Sequence, residues 1–363
     1  MAFFCFLRSK IMRRRRRRRP DNSSAIRHGV HLPEDHHHLN VDVQNCSIST
    51  PPARRFTWEE ISDTLTDNFS RPIGSGGFST VCLAQFPDST LAAAKIQNCS
   101  SERLRRAFRD ELQILLRLRH RNIVKLLGFS YDGADEMGAL VLEYVPNGTL
   151  QEKLHNRRSG KVLPWKRRMA IAFQLAQAIE YLHEQCTLHI IHGDIKASNV
   201  LLDQQLNCKL CDFGSAKMGF SSSVMPPAAS GSSNLLMLGS PGYVDPHYLR
   251  TGIASKKNDV YSFGIIVLEL VTGKEAALFC PERRKMPANA ADVAEMVDPG
   301  LDGEFDLEEA AVMASIAALC LSNAPALRPS AADIVFLIKE KIASVSFLFS
   351  ADPQKRGNLE DCN

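Results

Sequence analysis

The sequence predicts an α+β fold of two lobes, a small strand-rich lobe followed by a larger helical one, and three observations carry that expectation. Residues 73–97 break into short β-rich runs separated by Gly, Pro87 and Asp88. A single helix with one apolar stripe and two further strands follow, and helical periodicity dominates from Leu150 onward. The chain has 363 residues, 44% of them hydrophobic and 23% charged, which excludes disorder throughout and leaves room for two or three domains or one large one.

Charge divides the chain unevenly. Residues 1–55 hold 12 Lys and Arg against 4 Asp and Glu, net +8, leaving 32 against 36, net −4, for the remainder of a chain whose total is +4. The centre of this arm is the run Arg13–Arg19, which cannot pack against itself and stays solvated or finds an anionic surface. Nucleic acid, a nuclear import receptor and anionic lipid all fit that description. Residues 21–52 are rich in His, Asn, Ser and Pro without apolar period and read as a linker. His36, His37 and His38 lack the carboxylate or Cys pattern that completes a metal site, so a solvated cluster is the better reading. Ten cysteines show no secreted-domain spacing, and the close pair Cys208 and Cys211 has no second pair, which fits reduced thiols. The apolar stretch Met1–Leu7 stops at Arg8, too short for a signal-peptide core or a span of ~20 residues. The later apolar run from Gly264 to Leu270 is interrupted by Glu269.

From Phe56 the pattern is ordered. Trp58, Ile61, Leu65 and Phe69 fall at helical spacing. A strand from Ile73, a glycine turn, a second strand, a turn and a third strand ending at Lys95 come next. Ser101–Arg119 reads as a helix with Leu104, Phe108, Leu112 and Leu115 on one stripe. Strands are expected around Ile123–Phe129 and Ala139–Tyr144. Helices are expected over Lys166–His183, Val260–Val271, Leu307–Leu321 and Ala331–Lys341. The polar stretch Ser350–Asn363 is expected to fray.

Four segments carry chemistry. Gly74-Ser75-Gly76-Gly77-Phe78-Ser79-Thr80-Val81 lies on a strand–turn–strand, where glycines let backbone N–H groups approach phosphate oxygens. Alone it is a weak signal, since such a hairpin is often only a tight turn. Lys95 ends the strand Ala92-Ala93-Ala94-Lys95, and Glu111 follows on the striped helix. A surface pair of that kind is worth at most ~1 kcal/mol, whereas a fixed Lys–Glu pair can hold phosphates. Ile191-His192-Gly193-Asp194-Ile195-Lys196-Ala197-Ser198-Asn199 places an Asp, a Lys and an Asn on one loop. Cys211-Asp212-Phe213-Gly214 adds a second metal-ligand candidate, with Cys208 and Cys211 in the strand that leads to it.

The order of these segments resembles protein kinases over residues 68–345 and, in detail, the plant receptor-like cytoplasmic kinases, of the non-RD serine/threonine type. With the arm over 1–55 read from its charge as disordered and basic, the resemblance implies a juxta-kinase segment over 56–67, an N-lobe over 68–146, a C-lobe over 147–345 and a tail over 346–363. It implies a cleft in which Ile73, Gly74, Ser75, Gly76, Gly77, Val81 and Ala93 surround ATP, and in which backbone groups at Glu143 and Val145 bind adenine beyond the gatekeeper Leu142. Lys95, paired with Glu111, would hold the α- and β-phosphates. Asn199 and Asp212 would ligate Mg²⁺, with Mn²⁺ as an alternative, Asp194 would orient the acceptor hydroxyl, and Lys196 would face the γ-phosphate. Asp259 would be the buried organiser of the catalytic loop, and Arg328 the late structural arginine. The entry Phe56-Thr57-Trp58 and the run Gly239-Ser240-Pro241-Gly242-Tyr243-Val244-Asp245-Pro246 are typical of the plant receptor-like group.

Three positions depart from the family pattern. Gly193 replaces the arginine that clamps a phosphorylated activation loop. Ser79 replaces the third loop glycine. His247 replaces the glutamate that pairs with the late arginine, so Arg328 is expected to lack its carboxylate partner and the substrate-side lobe to be loosened. The segment Asp212–His247 is rich in serine (Ser221, Ser222, Ser223, Ser230, Ser232, Ser233, Ser240).

The expected function is therefore a serine/threonine protein kinase in a receptor-linked pathway, with a pseudokinase scaffold as the alternative. Protein substrates and a membrane receptor kinase are the expected partners, and no specific nucleic acid is. The protein is expected in the cytoplasm. Membrane attachment would draw on Phe3, Phe4, Phe6 and Leu7, on Cys5 as an acylation site and on Arg13–Arg19 against anionic lipid. A nuclear address is the alternative reading of the same arginines.

Overall fold

The structure, a computed structural model, describes residues 53–76, 79–131, 136–156, 162–219, 223–224, 239–278 and 290–349. The expectations for Cys5, Arg13–Arg19, His36–His38, Gly77, Ser221, Ser222, Ser230, Ser232, Ser233 and the stretch 350–363 lie outside the described residues.

The first lobe is a six-stranded sheet. Its strands are β1 (Arg54–Arg55), β2 (Pro72–Ser75), β3 (Ser79–Gln85), β4 (Leu91–Asn98), β5 (Leu126–Ser130) and β6 (Met137–Glu143), in the order β1-β5-β6-β4-β3-β2. All pairings are antiparallel except that of β1 with β5. Helix α1 (Glu102–Leu115) starts on Ser101, whose Oγ accepts from the Leu104 N–H. It buries Phe108, Leu112, Ile114 and Leu115. A Cβ at Gly138 would lie 2.7 Å from the Phe108 ring, so only glycine on β6 lets this helix approach the sheet so closely. The helix ends at Leu115, four residues before the predicted Arg119, and Leu104 is only half-buried. Strand β4 runs past Lys95 to Asn98, which places Gln97 in the sheet.

Order begins earlier than the pattern predicts. Arg54 and Arg55 pair with Gly128 and Phe129, the Arg55 guanidinium donates to the Tyr131 carbonyl, and the Phe56 N–H donates to the Phe129 carbonyl. A boundary at residue 55 therefore assigns an edge strand of the sheet to the arm. Trp58, Ile61, Leu65 and Phe69 are all buried, as the helical spacing predicts, but Glu60–Leu65 winds as a π-helix, with the Thr66 N–H bonded to the Ile61 carbonyl.

The second lobe is helical. Its larger helices are α2 (Leu150–His155), α3 (Trp165–Glu180), α4 (Pro246–Thr251), α5 (Lys256–Thr272), α6 (Ala290–Met296), α7 (Leu307–Cys320) and α8 (Ala331–Lys341). Helix α3 gives way to a π-turn over Tyr181–Gln185, and α5 begins four residues before the predicted Val260, where the Asn258 side chain accepts from the Ser255 N–H. Buried polar pairs brace the core. The Arg168 guanidinium donates to Asp298 at 2.6 Å and to the Leu270 carbonyl at 2.9 Å. Glu309 accepts from the Trp165 indole at 2.7 Å and from the Ser344 N–H at 2.6 Å, which holds the 3₁₀ turn Ala343–Leu348 onto the lobe. Val345 is fully buried there, and Leu348 packs on the core while Phe349 meets Phe173 edge-on, so packing continues beyond the predicted domain end at 345. No described helix is long and apolar enough to cross a membrane.

Candidate active site

The site lies where the β2–β4 face of the small lobe meets two loops of the large lobe. Strand alternation puts Ala93, Lys95 and Gln97 on one face of β4. Val81 and Leu140 sit directly across from Lys95, and Leu142 across from Ala93. Val81, Ala93 and Leu142 are half-buried, whereas Cys82, Ala92, Ala94 and Val141 on the opposite face are fully buried, so the first face is the one that opens on a cleft. Ile73 is exposed at the rim, and the Gly76 N–H donates to the Ser79 carbonyl to close the glycine turn. Glu143 uses its N–H on the Lys125 carbonyl and its carboxylate on Lys209 at 2.8 Å, and Val145 is buried just beyond it.

Lys95 links the two lobes. Its Nζ donates to Glu111 Oε1 at 2.7 Å and to Asp212 Oδ1 at 2.8 Å, and the second Glu111 oxygen accepts from the Gln97 amide at 2.6 Å. Burial opposes the charge on Lys95, but the carboxylates of Glu111 and Asp212 outweigh it and hold the ammonium above its ordinary pKa. Burial likewise pushes the Asp212 carboxyl up, yet the adjacent Lys95 prevails and holds it below the usual carboxylate range. Asp212 has φ +62°, a left-handed conformation that costs energy in any non-glycine residue and is common at functional sites. Cys208 lies on β7 (Cys208–Leu210) and Cys211 follows it. Burial pushes the Cys211 thiol up to about 12, which keeps it protonated.

The loop carrying Asp194 hangs from Asp259, a buried carboxylate on α5. Asp259 accepts from the N–H groups of His192 at 2.8 Å and Gly193 at 2.9 Å, and from His183 Nε2 at 2.8 Å. His192 accepts from the Asp194 N–H through Nδ1, so its ring proton is on Nε2, which donates to the Cys211 carbonyl. Gly193 has φ +77°, and a Cβ there would lie 3.0 Å from the Ser215 carbonyl. Asp194 is thereby presented beside three donors. Lys196 Nζ reaches Oδ2 at 2.7 Å, the Ser240 hydroxyl reaches Oδ1 at 2.8 Å, and Asn199 Nδ2 reaches the backbone carbonyl at 2.8 Å. Lys196 also donates to Ser240 Oγ at 2.8 Å, closing a ring of contacts.

The segment after Gly239 is anchored by two carboxylates. The Tyr243 hydroxyl donates to Glu269 at 2.6 Å and accepts from the Ala197 N–H. Burial first, and the Glu269 charge second, raise the Tyr243 pKa. The expectation that His247 leaves Arg328 unpaired is wrong. Asp245, two residues earlier, takes the arginine in a bidentate pair, with Nη1 at 2.5 Å from Oδ2 and Nη2 at 2.9 Å from Oδ1. Both side chains are buried. The proline at the next position turns the chain into α4, which aims the Asp245 side chain inward while it also caps that helix through the His247 N–H.

The structure thus gathers Lys95, Glu111 and Asp212 into one ion cluster, and Asp194, Lys196 and Asn199 into a second, while Val81 and Ala93 share the face of Lys95, Ile73, Gly74, Ser75 and Gly76 form the adjoining edge strand and its turn, and Glu143 and Val145 stand at and just beyond the end of β6. Sequence reasoning missed Gln97, Ser240 as a partner of Asp194, and Asp245. Ser240 and Asp245 stand inside a recognised motif, where the identity of their partners, 46 and 83 residues away, has no local signal.

Comparison with known proteins agrees with this geometry. The protein kinase domain model matches residues 68–336. A probable receptor-like protein kinase of Arabidopsis thaliana is 53% identical over 311 residues, covering 80% of this chain and 89% of that protein. Salt tolerance receptor-like cytoplasmic kinase 1 of Oryza sativa subsp. japonica is 52% identical over 310 residues, covering 83% and 84%. A probable LRR receptor-like serine/threonine-protein kinase of Arabidopsis thaliana is 37% identical over 305 residues, covering 82% of this chain and 34% of that protein. Protein kinases use ATP and a divalent cation to phosphorylate proteins. With the family model spanning most of the chain and two relatives above half identity across most of their own length, the chain belongs to the protein kinase family and, within it, to the plant receptor-like cytoplasmic kinases.

Proposed function

We propose that this protein transfers the γ-phosphoryl group of ATP to serine and threonine hydroxyls of protein substrates, in a pathway that begins at a membrane receptor kinase. The observation that carries the reading is the joint placement of Lys95, Glu111 and Asp212 in one ion cluster and Asp194, Lys196 and Asn199 in the adjoining one. The donor set suits Mg²⁺, which takes hard oxygen ligands. Asp212 offers a carboxylate, and Asn199, whose Nδ2 is committed to Asp194, offers its amide oxygen. When bound, the cation neutralises charge on the phosphates. Lys95 would hold the α- and β-phosphates, with Glu111 fixing its ammonium. Asp194 would accept a hydrogen bond from the acceptor hydroxyl and align its oxygen, and Lys196 would place positive charge beside the transferring group. A pocket lined by Asp194, Ser240, Tyr243, Val244 and Tyr248 adjoins this point. The lysine two residues after Asp194 supports serine and threonine as acceptors.

The purified chain should phosphorylate casein in the presence of Mg²⁺ and ATP, and Lys95→Met or Asp212→Asn should reduce the signal to background. Equal signal from wild type and variants would sink this reading, and a wild type with no Mg²⁺-dependent thermal shift by ATP would leave the scaffold alternative. The composition of the arm supports attachment to an anionic membrane through Cys5 and Arg13–Arg19. A fluorescent fusion of residues 1–55 that enters the nucleus would refute that placement.

A further inference from the structure

We propose that Gln97 is a positioning residue for MgATP binding, acting through Glu111. The inference rests on the phosphotransfer reading above. Gln97 and Lys95 are two residues apart on β4, so both side chains leave the same face of one rigid strand. They take the two oxygens of a single carboxylate, Lys95 holding Oε1 at 2.7 Å and Gln97 holding Oε2 at 2.6 Å. Glu111 is buried, with its side chain 2% exposed, so water does not readily replace a lost donor. On the remaining side stands Gly214, where even an added Cβ would stay 3.6 Å from Oε2 and could donate nothing. The orientation of the Gln97 amide follows, since its oxygen cannot face a carboxylate.

A two-point hold does what a single ion pair cannot. One contact leaves the carboxylate free to rotate about it, whereas two donors on one strand fix its plane and hence the rotation of α1. The consequence reaches the metal ligand. Lys95 divides its ammonium between Glu111 and Asp212. If Glu111 turns away, Lys95 is left to Asp212 alone, and the carboxylate needed for Mg²⁺ is neutralised by the lysine needed for the phosphates. Gln97 keeps Glu111 in place and so leaves Asp212 to the cation. The hold is built into the small lobe and needs no phosphorylated loop, which fits a chain that has Gly193 where a phosphate-clamping arginine would stand.

The test uses the full chain, with casein phosphorylation giving KM for MgATP and kcat, and direct binding of a fluorescent ATP analogue with Mg²⁺ as a readout free of catalysis. Gln97→Leu keeps the bulk and removes the donor. It should raise both the MgATP KM and the analogue Kd about tenfold, the size expected for losing one hydrogen bond to a charged group, and leave kcat within about threefold. Gln97→Glu, which sets a second carboxylate against Glu111, should weaken binding further. In a Glu111→Gln background the Gln97→Leu change should add nothing, because the group it acts through is gone. Wild-type binding by Gln97→Leu, or an undiminished effect in the Glu111→Gln background, would overturn the proposal. A wild type that binds the analogue but does not phosphorylate casein would refute the phosphotransfer reading and still leave Gln97 judged by binding. A wild type that binds no nucleotide would overturn both.

Discussion

Replacing Asp245 by Asn should cost this protein far more than its place in a loop suggests. The carboxylate accepts four hydrogen bonds, two from Arg328, one from Asn258 Nδ2 at 2.9 Å and one from the His247 N–H at 2.8 Å. Arg328 is buried with it and spends two more of its donors on the Ser322 and Lys257 carbonyls. An amide at position 245 cannot neutralise that guanidinium, and in either orientation its NH₂ would confront an Arg328 donor, together with the His247 N–H or Asn258 Nδ2. Breaking a buried ion pair from one side costs about 3–5 kcal/mol, because the surviving charge stays out of water without a counter-charge. For a domain of this size the thermal midpoint should fall on the order of 10 °C. Arg328→Lys should fall part of the way, since an ammonium keeps the charge but not the two-pronged geometry.

The decisive measurement is the double variant. The family places a glutamate at the position of His247, so Asp245→Asn with His247→Glu returns a carboxylate two residues along and should recover a substantial part of the lost thermal stability. His247→Glu alone should not stabilise the protein, because Arg328 already has its partner in Asp245 and the half-buried position 247 offers a second carboxylate no vacant guanidinium. Thermal unfolding of the full chain for the four proteins settles the matter. A loss below ~1 kcal/mol for Asp245→Asn, the range of an exposed pair, or a clear gain from His247→Glu alone, would refute the reasoning.

Two further outcomes follow from the site and its surroundings. Ser240→Ala removes the hydroxyl that joins Asp194 to Lys196; casein phosphorylation should drop about tenfold with the MgATP KM unchanged, as for an interaction made only near the transferring group, Ser240→Thr should retain most activity, and a raised KM would contradict the assignment. His120 stacks on Tyr181, and burial, then the charges of Arg121 and Lys209, push its pKa down to about 4. Because the unfolded chain takes up that proton first, near its ordinary value of about 6.5, the contribution is complete above pH ~6.5 and is lost as pH falls toward 4. His120→Phe keeps a stacking ring without a titrating group, so its thermal midpoint should fall less steeply than that of the wild type over that interval; parallel curves would exclude His120 as a source of acid sensitivity.

What could be read in the sequence was what is local in it. Asp194, Lys196 and Asn199 lie on one short loop, Lys95 lies within a strand and Asp212 just after one, so their local spacing survives folding almost unchanged. The strands and the long helices were legible for the same reason, since a period of two or of about 3.6 needs only neighbours. The misses share a different cause. Arg54 and Arg55 look like the end of a basic arm until Gly128 and Phe129 are brought beside them. Residues 346–349 look like the start of a tail until Leu348 packs on the core and Phe349 meets Phe173 edge-on. The π-turns at Glu60–Leu65 and Tyr181–Gln185 insert a residue into a helical period without a compositional mark.

Asp245 shows why reading by family position fails in a specific way. A motif assigns a partner to a place in the chain, but what Arg328 requires is a carboxylate within reach of its fork, and electrostatics does not distinguish a glutamate at position 247 from an aspartate at 245. The aspartate is shorter by one methylene and sits two residues earlier, where the chain enters Pro246 and α4, so its side chain meets the buried guanidinium while its other lone pairs cap the helix. One carboxylate then serves as helix cap, ion-pair partner and anchor for Asn258, and His247 is released from any duty toward Arg328. A departure from a family pattern is evidence of lost function only when no neighbouring side chain can supply the same charge at the same place, and here the adjoining turn supplies it.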